Sequence, residues 1–464
     1  MFDKGTNFRS LRRGHCESRA REIRDGSEAF SRAPCEMVAD LHRAHEESDQ
    51  SLLVSSIREM TRYMEYAVDG TEFFNSLRDG TIQIIVDTVK NSEKYTVANA
   101  LRLLVHTMNS SFDNLKRQLL ESDIFPYLVE FLDSEDQNVF CLSASLVLQY
   151  IRESQEFKNR AMEVLTFEKL LKIIGEHRSP CVALKAMKII AEYLKYETPT
   201  STLAYVITNL SQMRASLNEC HLMSELIEIM WQMMEYEPNW YGILEDADMI
   251  HHIAQIMMHC TPSGMNKGAR ILALCCKKSD SFIDSGFVKS IVNFIAFKDN
   301  SGVIELIIAI MEMSNYHYNL IIRENVLWQI RHTFDNGSLQ QKLDCLGIIA
   351  VIVQHYKESE IESIVTFGLV KDMASIADQC PSILESIIDI YELPKLQDAV
   401  ASQLNDETDV LCDIMENSTG EIAQRAEYLY NIAVNGQPYN PRDEETNIPS
   451  NEDLIDSFMN QGFT

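Results

Sequence analysis

The feature that most constrains this chain is a recurrence: about every 41 residues a turn-forming residue is followed by an apolar stretch that opens a helix. It reads Gly80-Thr-Ile-Gln-Ile-Ile-Val, Gly286-Phe-Val-Lys-Ser-Ile-Val and Gly368-Leu-Val-Lys-Asp-Met, with weaker copies starting at Asp123, Thr166, Asp248 and Asn325. The successive gaps are 43, 43, 82, 38, 39 and 43 residues, and the gap of 82 holds one further, degenerate copy near residues 202–210. From Gly80 to Gly368 is 288 residues over seven intervals. A fixed period of this length is the signature of a stacked repeat, in which one unit cannot bury its own apolar faces and neighbours complete the core.

The repeated unit is helical. Leu101, Leu104, Val105 and Met108 recur at helical spacing, Ile189, Ile190, Tyr193 and Leu194 follow part of the same pattern, and no strand-like alternation is sustained. Pro126, Pro180, Pro199, Pro238, Pro262, Pro381 and Pro394 fall between helical segments, where helices start and break. Only 17 Gly and 11 Pro in 464 residues point to helices joined by short turns. Gly, Asn or Asp at the marker fits a sharp junction, which needs a residue tolerant of positive φ or a side chain that caps the next helix.

A period near 41 is too long for tetratricopeptide or ankyrin arrays and lies in the armadillo/HEAT range. Each repeat also carries an Ala-x-x-x-Leu-x-x-Ile-type helix about 20 residues before the marker. On these features the chain resembles the armadillo family over roughly residues 50–435. The resemblance implies an all-α, right-handed superhelical solenoid of about nine to ten three-helix repeats, spanning residues 49–435 and ending in a partial repeat at residues 422–434. Within that family the array looks most like importin-α. Residues 1–48 then correspond to an importin-β-binding arm, with Arg9, Arg12, Arg13, Arg19, Arg21, Arg24 and Arg32 as receptor-binding candidates, although Glu22, Asp25 and Glu28 interleave with the arginines. Such an arm, held by an acidic body, is expected to contact an importin-β-type receptor or fold back on the groove.

The resemblance implies a non-enzymatic adaptor that holds a protein or peptide cargo along a concave groove for nuclear import, as a monomer shared between cytoplasm and nucleus. A cytoplasmic armadillo scaffold with no transport role is the alternative. Importin-α lines its groove with Trp and Asn four residues apart on one helix of successive repeats. Aligned on the Ala-x-x-x-Leu core, those positions are Arg102/His106, Leu146/Tyr150, Lys188/Glu192, Glu228/Gln232, Glu305/Ala309, Gly347/Val351 and Glu427/Asn431. No Trp is retained, and Asn only at Asn431. The groove candidates are therefore Arg102, His106, Tyr150, Lys188, Glu192, Glu228, Gln232, Glu305, Glu427 and Asn431. The carboxylates among them suit a basic or mixed ligand.

Other chemistry is weakly signalled. The net charge is −28, and residues 1–45 hold nine Lys/Arg against seven Asp/Glu, so the rest of the chain carries −30. That balance opposes nucleic-acid binding, which needs a positive surface. No apolar run approaches the roughly 20 residues that span a bilayer, and no apolar segment follows the first arginines, so neither a membrane span nor a secretory signal is expected. There is no phosphate-binding glycine loop, no G-x-S-x-G and no H-E-x-x-H. His251, His252, His259 and Cys260 lack the one-turn spacing of a metal pair, so no metal or cofactor is expected. The eleven cysteines, with no C-x-x-C, read as small core residues. Met230, Met233, Met234, Met257 and Met258 read as core. Residues 436–464, with Pro438, Pro441, Pro449 and Asp443-Glu444-Glu445, read as an acidic tail.

Overall fold

The structure is a computed structural model and describes residues 32–66, 70–176, 179–195, 198–297 and 300–436. The described residues are helical with short connections, and no strand occurs among them. The chain divides into two compact units, residues 1–243 and 244–464.

In the first unit five long helices each pack against the next: Gln50–Tyr66, Lys94–Asn109, Gln137–Glu153, Pro180–Leu194 and Cys220–Tyr236. They are called ladder helices below. Each presents one apolar stripe to shorter helices that complete its repeat. Gln137–Glu153, for example, buries Phe140, Ala144, Val147, Leu148 and Ile151, each large side chain contributing about 1.5–3 kcal/mol relative to exposure. Its start is set by Asp136, whose carboxylate accepts from the Asn138 amide at 2.9 Å, satisfying an otherwise orphan donor. Ser154 ends it and caps the following helix, Gln155–Val164. Pro180 occupies the first turn of Pro180–Leu194, where its missing N–H is not needed.

One boundary differs from the sequence expectation. The arm was expected to run to residue 48, yet Pro34–Glu46 is a helix that buries Met37, Val38, Leu41 and Ala44 and packs against Gln50–Tyr66. This apolar stripe needs a partner, so the repeat body starts near residue 34. The expected arm arginines 9–24 lie outside the described residues, as does the expected tail, residues 436–464, beyond its first residue.

The second unit repeats the device. Its ladder helices are Pro262–Cys275, Ser301–Met313, Leu339–Gln354, Ile383–Tyr391 and Glu421–Asn435, each packed on its successor. The first two come close together at Gly302: a Cβ there would lie 2.4 Å from the Asn266 carbonyl oxygen, while the Gly302 amide donates to Asn266 Oδ1 at 3.0 Å. Ser338 and Gln341 form a reciprocal capping box at the start of Leu339–Gln354.

The recurring markers behave in two ways. Gly80, Asp248, Asn325 and Gly368 adopt left-handed backbone, φ from 53° to 84°, immediately before a helix, so those junctions use the conformational freedom the sequence provides. At the other glycine marker the solution is a cap: Gly286 lies inside Ser285–Asn293, and Asp284 accepts from the Phe287 amide at 2.7 Å. Thr166 likewise accepts from the Lys169 amide at 3.3 Å. Asp123 does neither and forms an ion pair with Lys90 of the preceding repeat.

Candidate functional site

The 41-residue period reappears as a register of side-chain bridges. On the first unit's ladder face, four bridges share one offset of 40 residues: Cys141 Sγ to Cys181 Sγ at 3.1 Å, Lys185 Nζ donating to Ser145 Oγ at 2.7 Å, Gln149 Nε2 donating to Asn109 Oδ1 at 3.3 Å, and Arg152 Nε donating to Glu192 at 2.9 Å. Residues 141, 145, 149 and 152 follow one stripe of a helix by their spacing, as do 181, 185, 188 and 192. Neighbouring ladder helices therefore carry parallel stripes in register, exposed at Cys181 and Arg152, half-buried at Ser145, Gln149, Lys185 and Lys188, and buried at Glu192. A face of this type offers polar contacts at regular steps, which is what an extended or helical partner segment requires.

The sequence-derived groove residues divide on this frame. Arg102 is half-exposed and pairs with Glu65 at 2.6 Å. Lys188 is half-exposed and has no acidic partner among the described residues, with Lys185 as its charged neighbour. Burial lowers the pKa of His106, with Glu65 opposing. Three candidates are corrected. Tyr150 is a core residue: its ring packs on Phe125 and Phe157 and its hydroxyl donates to the buried Leu119 carbonyl at 2.5 Å. Glu192 is buried and neutralised by Arg152 and by Lys195 at 3.1 Å. Gln232 is buried, and its amide donates to Glu228 at 2.9 Å. All three occupy the second position of the expected Trp/Asn pair, as does Val351, which is also buried. In these four repeats that position sits on the shoulder packed into the repeat, while His106, Ala309 and Asn431 at the same position are half-buried.

In the second unit, Glu305 is exposed but engaged by Arg270 across to the next ladder helix, Nη2 to Oε1 at 2.9 Å with Nε contributing at 3.1 Å. Glu427 is exposed, and the Asn431 amide turns back onto the Glu427 carbonyl at 2.9 Å. The expected row of free carboxylates is thus largely internally paired. Of the arm candidates, Arg32 alone falls in the described residues. It is bound to Asp40 and Glu59 of the body, the latter at 2.9 Å.

The alignment on Trp and Asn missed Ser145, Gln149, Arg152 and Lys185. Their signal was the 40-residue offset between polar residues of like spacing. The cysteines are also corrected: Cys275, Cys276 and Cys345 are buried, with burial pushing each thiol up to about 12, but Cys35, Cys181 and Cys220 are exposed. Near the histidine cluster the second unit has a cleft of about 580 Å³ lined by His251, Met258, His259, Phe282, Phe287 and Phe294. Met258 is thus at a cavity wall, whereas Met230, Met233 and Met257 are core. No group of three or more His, Cys, Asp or Glu able to hold a metal occurs among the described residues, and no described helix is long and apolar enough to cross a membrane.

No protein-family model matches the chain, and no curated protein matches it. Solved structures do. An engineered protein from the Northeast Structural Genomics Consortium is similar over 85% of this chain and 97% of its own, with a TM-score of 0.59 and 13% identity. A second engineered protein from the same consortium covers 50% of this chain and 99% of its own, with a TM-score of 0.41 and 13% identity. At such identity the first likeness speaks to the fold alone: an all-helical array.

Proposed function

We propose that this chain is an armadillo-type repeat protein whose ladder faces bind a protein or peptide partner. The observation that carries the reading is the in-register bridging at an offset of 40 residues, which gives neighbouring repeats the same polar stripe. Repeat stacks of this kind bind along such stripes, because each repeat contributes one step of contact. Lys188, a half-exposed cation with no carboxylate partner among the described residues, is a side chain on that face open to an acidic group of a partner. The paired state of Glu192 and Glu305 favours a mixed-charge partner over a strongly basic one.

Lysine footprinting tests this. The full chain is acetylated in native extract and after purification, and each lysine is quantified by mass spectrometry. Lys185 and Lys188 are expected to be protected in extract, and Lys172, on the neighbouring helix Phe167–Glu176 and 71% exposed, is expected to react equally in both. Equal reactivity at all three refutes the ladder-face reading.

Nuclear import is the specific use supported by the arginines between residues 9 and 24. Because Pro34–Glu46 belongs to the body, the segment to test is residues 1–31. Fused to a reporter, it should bind an importin-β-type receptor and accumulate in nuclei; failure of both leaves the scaffold reading without a transport role.

A further inference from the structure

We propose that Cys141 and Cys181 form a redox-active dithiol that closes to an inter-repeat disulfide on reaction with a peroxide. The two sulfurs lie 3.1 Å apart across neighbouring ladder helices. A disulfide needs about 2.05 Å, so closing the bond takes roughly half an ångström of movement by each sulfur. The pair is also accessible, Cys181 being exposed and Cys141 half-buried. Two thiols meeting at a 40-residue offset follow from the same register that brings Lys185 to Ser145, so their proximity is fixed by helix packing.

The surroundings divide the labour between the sulfurs. Lys185 stands one turn beyond Cys181, and Ser145, which it contacts at 2.7 Å, one turn beyond Cys141. Lys185, whose own pKa burial lowers, favours the ionised form of the Cys141 thiol. Burial nevertheless pushes Cys141 up to about 12. Exposure, with Lys185 one turn away on the same helix, makes Cys181 the attacking sulfur. Cys181 thiolate displaces hydroxide from the peroxide O–O bond, giving a sulfenic acid and, with one proton, water. Cys141 then attacks the Cys181 sulfur, its thiol proton leaves with the sulfenic hydroxyl as a second water, and the S–S bond forms. Two electrons pass from the thiols to the peroxide. The product ties the Gln137–Glu153 and Pro180–Leu194 helices, closing a loop of 40 residues and fixing two adjacent repeats of the ladder face.

The full chain, reduced and freed of reductant, is treated with hydrogen peroxide, alkylated and digested. A peptide pair joined through Cys141 and Cys181 is expected, while Cys35 and Cys220 remain alkylated. Cys141→Ser should leave Cys181 as a sulfenic acid captured by dimedone, Cys181→Ser should leave Cys141 unmodified, and Lys185→Gln should slow closure at least about threefold. The oxidised chain should unfold at least about 5 °C higher than the Cys141→Ser chain under the same treatment. The proposal is overturned if Cys141 and Cys181 stay alkylatable while Cys35 and Cys220 oxidise, or if Cys181 pairs with another sulfur.

Discussion

Gly302 is a tight point in the packing of the second unit. A methyl group there would lie 2.4 Å from the Asn266 carbonyl oxygen, 2.9 Å from its Cα and 3.0 Å from its carbonyl carbon. All three are backbone atoms, so no rotamer change relieves the contact, and the two ladder helices must part by nearly an ångström. Overpacking of this kind costs about 1–3 kcal/mol, and loss of the Gly302 amide bond to Asn266 costs about 1 kcal/mol more. Against this, Ala gains up to about 1 kcal/mol over Gly in a helix, and less here because Gly302 is in the first turn. Gly302→Ala should therefore cost about 2 kcal/mol, or about 4–8 °C in the unfolding midpoint of a unit this size. Gly347 is the internal control. Its added methyl would meet only the terminal Ile308 Cδ1, at 2.8 Å, a flexible group that can turn away, and its helix-interior position keeps the full propensity gain. Gly347→Ala should change stability by less than about 0.5 kcal/mol. Urea unfolding of the full chain reports the difference, and native hydrogen exchange locates it, with protection lost in Pro262–Cys275 and Ser301–Met313. A Gly302→Ala chain as stable as the parent, or a Gly347→Ala chain that is the weaker of the two, would refute this packing argument.

Other consequences follow from buried polar groups. Tyr150→Phe removes one bond to the Leu119 carbonyl, which still accepts from the Ser122 amide at 3.1 Å and the Ser122 hydroxyl at 2.6 Å, and should destabilise the first unit by about 0.5–1.5 kcal/mol with no effect on partner capture; capture lost without a stability change would return Tyr150 to the binding face. Burial lowers Lys158 to about 8, below its ordinary value, so the folded state holds fewer protons than the unfolded state between about pH 8 and 10.5. Its charge therefore burdens folding fully below pH 8, and the burden lifts as pH rises through that window. Lys158→Met should raise the midpoint of the first unit at pH 7, with the advantage over the parent shrinking toward pH 10; a constant difference across that range contradicts the buried-charge explanation. At the Gly368 marker, φ is 72°, and Gly368→Ala should cost about 1 kcal/mol, measurable by urea unfolding, whereas Asn325→Gly should be neutral or slightly stabilising.

Much of the fold was legible because periodicity is a property of the chain itself. The 41-residue spacing of the markers anticipates bridges at offsets of 40 residues, and Gly80, Asn325 and Gly368 hold the backbone their residue types allow. The helix Pro34–Glu46 was overlooked because its flanking charges matched those of the arm, while its four buried apolar residues register only when a partner helix is in place. The site was less legible. Whether position 150, 192 or 232 faces out depends on how each ladder helix rolls against its repeat, and a two-residue roll moves a side chain from stripe to shoulder. Pairing has the same character: Arg152 neutralises Glu192 from the next repeat, so counting carboxylates along one helix overstates the charge a ligand meets. Cys141 and Cys181 are ordinary core residues by composition, and only the stacking register brings them together.

The most direct test of the account is photo-crosslinking in cells from single benzoylphenylalanine substitutions on the full chain. Gln149, Lys188 and Glu305 report from ladder helices, and Gln83, Lys172 and Lys289 from helices off the ladder. The account predicts crosslinks to a shared partner from at least one unit's ladder positions and none from the other three. Partner crosslinks confined to Gln83, Lys172 and Lys289 would contradict it.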